Sequence, residues 1–298
     1  MAQEITLTTA TRTNLLSLQN TTSLIGRTQE RLATGLKVNN AIDDALAFFK
    51  ARNLNSRASD LQSIKDEITG GINVIKAATQ GLESIESLLK QMKALAQSAV
   101  SAPESSTRAK LASQFNELRS QVDNIAEDSS FNGINLLKNN VNAFQPGADS
   151  LTVKFNERTE AASINQLVIS GLKVSDFTTM MGRSAVATGP TGPNTLTWGQ
   201  TGANGILAIN SALRAIDSAL TTVRQSAQSF GTNSALLQIR ADFTTQIITT
   251  LKGGAADLVN ADMNEESANL LSLQTRQQLG TISLSIAQKS EEAILRLF

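Results

Sequence analysis

The sequence predicts a mainly α protein: a long antiparallel, coiled-coil-like helical bundle assembled from discontinuous N- and C-terminal halves, with a small β-containing tip. The only prolines are Pro103, Pro146, Pro190 and Pro193, so Met1–Ala102 and Asn194–Phe298 are both proline-free. Both flanks carry apolar residues at alternating spacings of three and four, the period of a helix–helix seam. The stretch between them includes a run, Thr188–Gly205, rich in Gly, Pro, Thr and Asn. A chain that is helical at both termini and irregular in the middle folds back on itself, with the middle as tip and the ends together as base.

Taken in order, the first stripe is thin. Leu15, Leu18, Ile25 and Leu32 form it, interrupted by Thr22 and Gln29. The clearest element follows, where 3-4 spacing visits Leu61, Ile64, Ile68, Gly71, Ile75, Ala78, Leu82, Ile85, Leu89, Met92, Ala96 and Ala99. At 1.5 Å per residue this helix would be roughly 60 Å long. Pro103 stops it by biasing the preceding residue away from helix. A second helix carries Leu111, Phe115, Leu118, Val122 and Ile125, ends near Asp128-Ser129-Ser130, and gives way to a turn at Asn132-Gly133. The short link between these helices makes them antiparallel neighbours.

Leu151–Phe155 and Leu167–Ile169 read as short strands, and Thr188–Gly205 as loop. A third long seam runs through Ile206, Ile209, Leu213, Ile216, Leu220, Val223, Ala227, Phe230, Ser234, Leu237, Ala241, Thr244, Ile248 and Leu251, and Lys252-Gly253-Gly254 is expected to break it. Helices with matching seams bury one another, which favours an antiparallel bundle. The last stripe, Leu270, Leu273, Leu284, Ala287, Ile294 and Phe298, is interrupted by Gln277, Gly280 and Glu291. Ordering a residue costs about 1–2 kcal/mol of backbone entropy, so stripes this narrow are expected to order fully only when neighbouring subunits cover them. The pentapeptide Leu-Leu-Ser-Leu-Gln occurs in both end stripes, at Leu15–Gln19 and Leu270–Gln274, which raises the question whether the copies face each other.

Composition excludes several functions. Lys+Arg and Asp+Glu are equal at 26 each, so charge favours neither nucleic acid nor an anionic membrane as partner. With no Cys and no His, the usual zinc ligands and the Ser-His-Asp and Cys-His nucleophile systems are missing. A His-Glu-x-x-His protease hidden in the middle is excluded for the same reason. No catalytic residue, metal site or cofactor is expected. No stretch approaches the ~20 apolar residues of a membrane span. Met1–Thr6 has neither a basic nor an apolar signal region, so no cleavable leader is predicted. Asp43-Asp44 is a carboxylate pair in sequence only, since adjacent helical residues do not face each other. Helix capping after a turn at Gly35, Asn39 and Asn40 is the expected role. Glu265-Glu266 and Glu291-Glu292 read as exposed helical charges.

Leu32-Ala33-Thr34-Gly35-Leu36-Lys37-Val38-Asn39-Asn40-Ala41-Ile42-Asp43-Asp44-Ala45 resembles the Leu-Ser-Thr-Gly-x-Arg-Ile-x-x-Ala-x-Asp-Asp-Ala motif of bacterial flagellins, with Lys37 and Val38 as mild departures. Phe131-Asn132-Gly133, Ala261-Asp262-Met263 with Glu266-Ser267, and the tail from Gln277-Gln278-Leu279-Gly280 through Ala287 to Ile294-Leu295 are similar too. The resemblance covers roughly Met1–Asn140 and Gly205–Phe298, in the family's order.

It implies a self-assembling filament subunit with a terminal-helix core domain (1–43 with 255–298), a rod domain (44–180 with 203–254) and a surface loop at the tip (181–202). The inter-subunit core would include Leu15, Leu18, Ile25, Leu32, Leu270, Leu273, Leu284 and Ile294, and Gly35, Asn39, Asn40, Asp43 and Asp44 would form the turn between core and rod. Implied partners are copies of itself, an export chaperone on the C-terminal segment, and hook-associated and cap proteins. Export would run through the flagellar type III apparatus to an extracellular flagellum. The alternative is a hook-associated junction protein with the same terminal helices.

Family members also present a patch to an innate immune receptor, as Leu-x-Arg-x-Arg-Glu-Leu-Ala. Here it reads Leu89-Lys90-Gln91-Met92-Lys93-Ala94-Leu95-Ala96, and Gln114 stands at an acidic position of the second helix. Gln cannot reproduce the bidentate fork of Arg, so weak recognition is expected.

Overall fold

The computed structural model describes residues 9–138, 150–157, 165–185, 198–199 and 203–295. The elements run α1 (Thr9–Thr34), α2 (Ala45–Ser101), α3 (Ser105–Asp128), β1 (Ser150–Lys154), β2 (Gln166–Ser170), α4 (Val174–Ala185), α5 (Ala203–Val259) and α6 (Met263–Leu295). They pack as two compact units, Met1–Ala58 with Thr249–Phe298, and Ser59–Ile248. The fold is mainly α, with antiparallel helices and, among the described residues, one two-stranded sheet.

In the unit Ser59–Ile248, every seam position of α2 from Leu61 to Ala99 is buried. Its partner α5 runs the opposite way. Gly71 lies against Leu237, Glu86 pairs with Arg224 at 3.0 Å and Lys93 with Asp217 at 2.6 Å, so steps forward on one helix are matched by steps back on the other. On α5, Ile209, Ile216, Leu220, Val223, Phe230, Leu237, Thr244 and Ile248 are buried as the spacing requires, Leu213, Ala227, Ser234, Ala241 and Leu251 are half-buried and Ile206 is exposed, while Ala208, Ala212 and Ala219 beside the seam are buried. Lys90 and then Arg224, both hydrogen-bonded to Glu86, hold its carboxyl below the ordinary value near 4.5. A depressed carboxylate contributes stability above the unfolded value, and that contribution is lost as pH falls through the folded one. Glu86→Gln should therefore flatten the acid side of the stability profile below about pH 4.5; urea midpoints against pH with identical acid slopes for both proteins would count against the assignment.

α3 departs from its predicted stripe. Arg108, Ala112, Phe115, Val122 and Ala126 are the buried residues, with Leu111, Leu118 and Ile125 half-buried at the margin. The cause is α4, which the sequence did not suggest. Thr178 Oγ1 donates to Asp123 Oδ1 at 2.7 Å, and Val174 and Met181 are fully buried. A helix covered from two sides buries a broader, rotated face. After α3, Asn132 (φ 51°) and Gly133 (φ 77°) make a two-residue turn closed by reciprocal Phe131–Ile134 backbone bonds of 3.0 Å, the left-handed pair that tight hairpins need.

β1 and β2 form an antiparallel hairpin in the register Leu151↔Ile169 and Val153↔Leu167. Leu151, Val153 and Ile169 face inward. A methyl group on Gly71 would lie 2.8 Å from Val153 and 3.5 Å from Leu151; glycine there lets the hairpin settle directly on α2, well short of that helix's C-terminal end. Within the expected loop 181–202, residues 181–185 continue α4, and Trp198 is fully buried. That side chain is the chain's only Trp and packs on Phe115 at 4.9 Å between ring centroids. Gly199 beside it is half-buried, and the other expected loop residues lie outside the described ones, as do Pro146, Pro190 and Pro193.

Two further expectations are corrected. Gly253-Gly254 does not break α5, which continues to Val259 with Ala255 buried. Gly254 faces Leu54 of α2, so the antiparallel packing there outweighs the ~1 kcal/mol helix cost of a glycine. Within Asn204–Val259 an 18-residue window is long and apolar enough by composition to cross a membrane, although no such stretch was expected. Much of that helix's apolarity sits on its buried face.

Candidate assembly surface

α1 ends where its sequence tells it to. Gly35 adopts φ 70° and its N–H returns to Arg31 O at 2.8 Å, a left-handed cap that glycine adopts without strain. The chain then lies against the α5–α6 junction: Lys37 and Val38 donate to Val259 O, and Ala261 donates to Gly35 O. Asp43 Oδ2 accepts the N–H groups of Asn39 and Asn40 at 3.2 and 3.1 Å, tightening the turn. Asp44 Oδ1 accepts Ala47 N–H at 2.9 Å and caps α2. The two carboxylates thus serve different turns and share no site. Asp262 Oδ1 does for α6 what Asp44 does for α2, accepting the N–H groups of Asn264 and Glu265.

α1 and α6 pair antiparallel. Arg31 bridges Glu266 at 2.9 Å, Gln277 donates to Thr22 Oγ1 at 3.4 Å, and Gly280 packs on Leu18. Glu266 is buried, not the exposed charge expected, because the last turn of α1 brings Arg31 to the first turn of α6. Each charge there also complements a helix end; its neighbour Glu265 is exposed. The inward face of α1 comprises Thr11, Asn14, Leu18, Thr21, Ile25, Thr28 and Leu32; that of α6 comprises Glu266, Leu270, Leu273, Gln277, Gly280, Leu284 and Ala287. This register places Leu270–Gln274 opposite the stretch around Ile25, so the repeated pentapeptides do not face each other.

Of the residues expected between subunits, Leu18, Ile25, Leu32, Leu270, Leu273 and Leu284 therefore lie on the faces that α1 and α6 turn to each other. Leu15 alone faces outward, at 42% exposure. It is joined there by Leu16, Leu24, Leu271, Leu279, Ile282 and Ile286, which a one-stripe reading misses because they fall beside the seam. Their signal was available in the sequence: both helices carry large apolar residues on more than one face. Ile294 sits in the last turn of α6, where no side chain is described, and Glu291-Glu292 likewise; Phe298 lies outside the described residues.

The degenerate patch is divided by packing. Leu89 is buried, Leu95 is half-buried and Lys93 is drawn to Asp217, while Gln91, Ala94 and Gln114 are exposed.

The bacterial flagellin N-terminal helical region matches residues 5–142, and the bacterial flagellin C-terminal helical region matches residues 213–298. The chain belongs to the bacterial flagellin family. Similar curated relatives include flagellin FljO of Caulobacter vibrioides, 33% identical over 95% of both chains, and flagellin FljK of the same organism, 32% identical over 95% of this chain and 94% of its own. Flagellin C of Rhizobium meliloti is 28% identical over 91% of each. A solved flagellin from Bacillus cereus is similar over 60% of this chain and 88% of its own, at 15% identity and a TM-score of 0.45. This flagellin is a structural subunit that polymerises into the flagellar filament, and its relatives favour that role over a hook-associated junction protein.

Proposed function

We propose that α1 and α6 form the inter-subunit core of the filament, with the outward residues Leu15, Leu16, Leu24, Leu271, Leu279, Ile282 and Ile286 making the contacts between copies. The observation that supports this is the exposure of so many large apolar side chains on one helix pair, since monomers seldom leave extended apolar patches in water. Leu18, Ile25, Leu32, Leu270, Leu273 and Leu284 hold the pair together, and the core domain comprises 1–43 with 255–298. Residues 44–180 with 203–254 form the rod domain. Deleting Ser283–Phe298 should leave residues 59–248 folded and soluble but unable to polymerise. Sedimentation and electron microscopy of the truncated protein test this, and filaments of normal length would refute it.

The protein has no catalytic role in this reading. It is exported through the flagellar type III apparatus after a chaperone has held its C-terminal segment, and meets hook-associated and cap proteins at the filament ends. Co-purification of the chaperone with intact but not truncated chain would support that contact. Recognition by the innate receptor is weak, because Gln91, Ala94 and Gln114 put neutral groups where charge-assisted hydrogen bonds, roughly twice as strong as neutral ones, would anchor it. Gln91→Arg with Gln114→Glu should recover part of the response in reporter cells, both sites being exposed. Full potency of the unaltered monomer would overturn this.

A further inference from the structure

Asparagine followed by glycine occurs twice in the chain, at Asn132-Gly133 and Asn204-Gly205. The two pairs stand in opposite settings. Asn132 and Gly133 form the exposed turn after α3, at φ 51° and 77°. Backbone bonds between Phe131 and Ile134 close that turn. Among the described residues, neither the Asn132 side-chain amide nor the Gly133 N–H has a hydrogen-bond partner. A Cβ built on Gly133 would meet nothing within 4 Å. Asn204, by contrast, lies in the first turn of α5, and Gly205 is buried. Asn135 is pinned as well: its Nδ2 donates to Ala126 O and Glu127 O at 2.8 and 3.0 Å, and its Oδ1 accepts the N–H groups of Leu137 and Lys138. The left-handed turn needs only the backbone tolerance of Asn and Gly, so the Asn132 amide is left free to react.

We propose that Asn132-Gly133 is a self-modifying site: with water as the only co-reactant, Asn132 loses ammonia through a cyclic imide and becomes a mixture of aspartate and isoaspartate. Gly133 gives up its N–H proton to hydroxide, and its nitrogen attacks Cγ of Asn132. A new C–N bond forms, the bond to Nδ2 breaks, and Nδ2 takes a proton from water and leaves as ammonia. Water then opens the five-membered imide at either carbonyl. One opening restores the main chain; the other routes it through the former side chain and lengthens it by one carbon. Glycine places no side chain over the attacking nitrogen, and that N–H has no acceptor to leave first. Ring closure also requires rotation about the bond from Asn132 Cα to its carbonyl carbon. In the turn this disturbs two exposed residues, whereas at Asn204 it would break the first turn of α5. The isoaspartate form cannot keep both Phe131–Ile134 bonds, since loop length selects turn type. Just behind the turn, Leu136 and Leu137 are fully buried and Leu137 packs at Gly81 of α2, so the change loosens a packed segment. The inference is independent of the contacts proposed between copies.

Folded monomer, and the same chain unfolded in urea, can be incubated in mildly alkaline water enriched in heavy oxygen. Peptide mass spectrometry should then show ammonia lost and a heavy oxygen gained at position 132, in two isomers that chromatography separates. Folding should slow the reaction less at Asn132 than at Asn204. Asn132→Gly keeps a residue that adopts the left-handed turn without strain; its peptide should gain no heavy oxygen, which assigns the signal to Asn132 and not to Asn135. No product at position 132 in the folded chain, a single isomer, or slowing at Asn132 equal to or greater than at Asn204 would each overturn the proposal. After the same incubation the unaltered chain should melt below Asn132→Asp, which carries the new charge on the original main chain, while Asn132→Gly keeps its initial Tm. Equal Tm values for the aged chain and Asn132→Asp would overturn the loosening of the turn.

Discussion

Replacing Arg108 by Met should lower the stability of the unit Ser59–Ile248 by about 3 kcal/mol, roughly 6–12 °C in Tm for a unit of this size. Arg108 is 6% exposed in the first turn of α3. Its Nε donates to Trp198 O at 3.1 Å, and its Nη1 donates to Ala102 O at 3.0 Å and Pro103 O at 3.4 Å. One guanidinium thus ties the link beyond α2 to the start of α3 and to a residue some ninety positions later. Met preserves most of the volume but none of the donors, leaving the buried Trp198 carbonyl unpaired at about 1–3 kcal/mol and releasing the link carbonyls of Ala102 and Pro103. Lys should rescue only part, because an ammonium lacks the planar fork that reaches several acceptors at once. Trp198 reports the outcome without labels, being the only Trp and packed against Phe115 with the rings tilted. Its emission should shift to the red in Arg108→Met at temperatures where circular dichroism still shows helix. An unshifted spectrum with an unchanged Tm would show that solvent satisfies those carbonyls.

That clasp also marks where sequence reading stopped. The α2 seam was fully legible because its apolar positions keep a strict 3-4 spacing, and each of them is buried. The strands were legible from their β-branched and apolar alternation, and the structure extends or trims them by a residue. α3 was placed correctly but rotated. Leu111 and Ala112 are both apolar, and periodicity cannot choose between them without knowing that α4 covers the second side. α4 itself, Val174–Ala185, contains Thr178, Thr179 and Gly182, poor helix formers whose order comes from tertiary contacts such as Thr178 to Asp123. Arg108 left no trace in the pattern, since a basic residue in a first turn reads as solvated.

At the assembly surface the turn residues were the readable part. Gly35 and Asp44 announce helix ends by chemistry that is local to them. What sequence could not divide was the apolar content of α1 and α6 between two kinds of partner. Leu18 and Leu15 look alike on a helical wheel drawn for one stripe, yet one packs on Gly280 and the other faces solvent. Glu266 was misjudged for a related reason. Its burial depends on Arg31, more than two hundred residues earlier, and no local rule relates them.

Amides of Leu15–Leu32 and Leu270–Ala287 should exchange with solvent far faster in the monomer than those of Ile64–Ala99, and should gain at least about a thousandfold protection on polymerisation. The inward face of the α1–α6 pair holds Thr11, Asn14, Thr21, Thr28, Glu266, Gln277 and Gly280 among its contact positions, leaving Leu18, Ile25, Leu32, Leu270, Leu273, Leu284 and Ala287 as the apolar supply. Most of these are only half-buried. A fully buried Leu or Ile contributes about 1.5–3 kcal/mol, whereas each ordered residue costs about 1–2 kcal/mol. Over two helices of this length, hydrogen bonding and propensity must supply the rest, so the pair opens at low free energy. α2 between Ile64 and Ala99 stands in the opposite case, with a seam of Ile, Leu, Met and Ala closed throughout. When neighbouring copies cover Leu15, Leu16, Leu24, Leu271, Leu279, Ile282 and Ile286, the same helices gain a second buried face and opening requires breaking both. Hydrogen-exchange mass spectrometry on monomer and filament measures the change. Strong protection of Leu15–Leu32 in the free monomer would show that the α1–α6 contact suffices alone, and that the outward apolar residues are not what orders these helices.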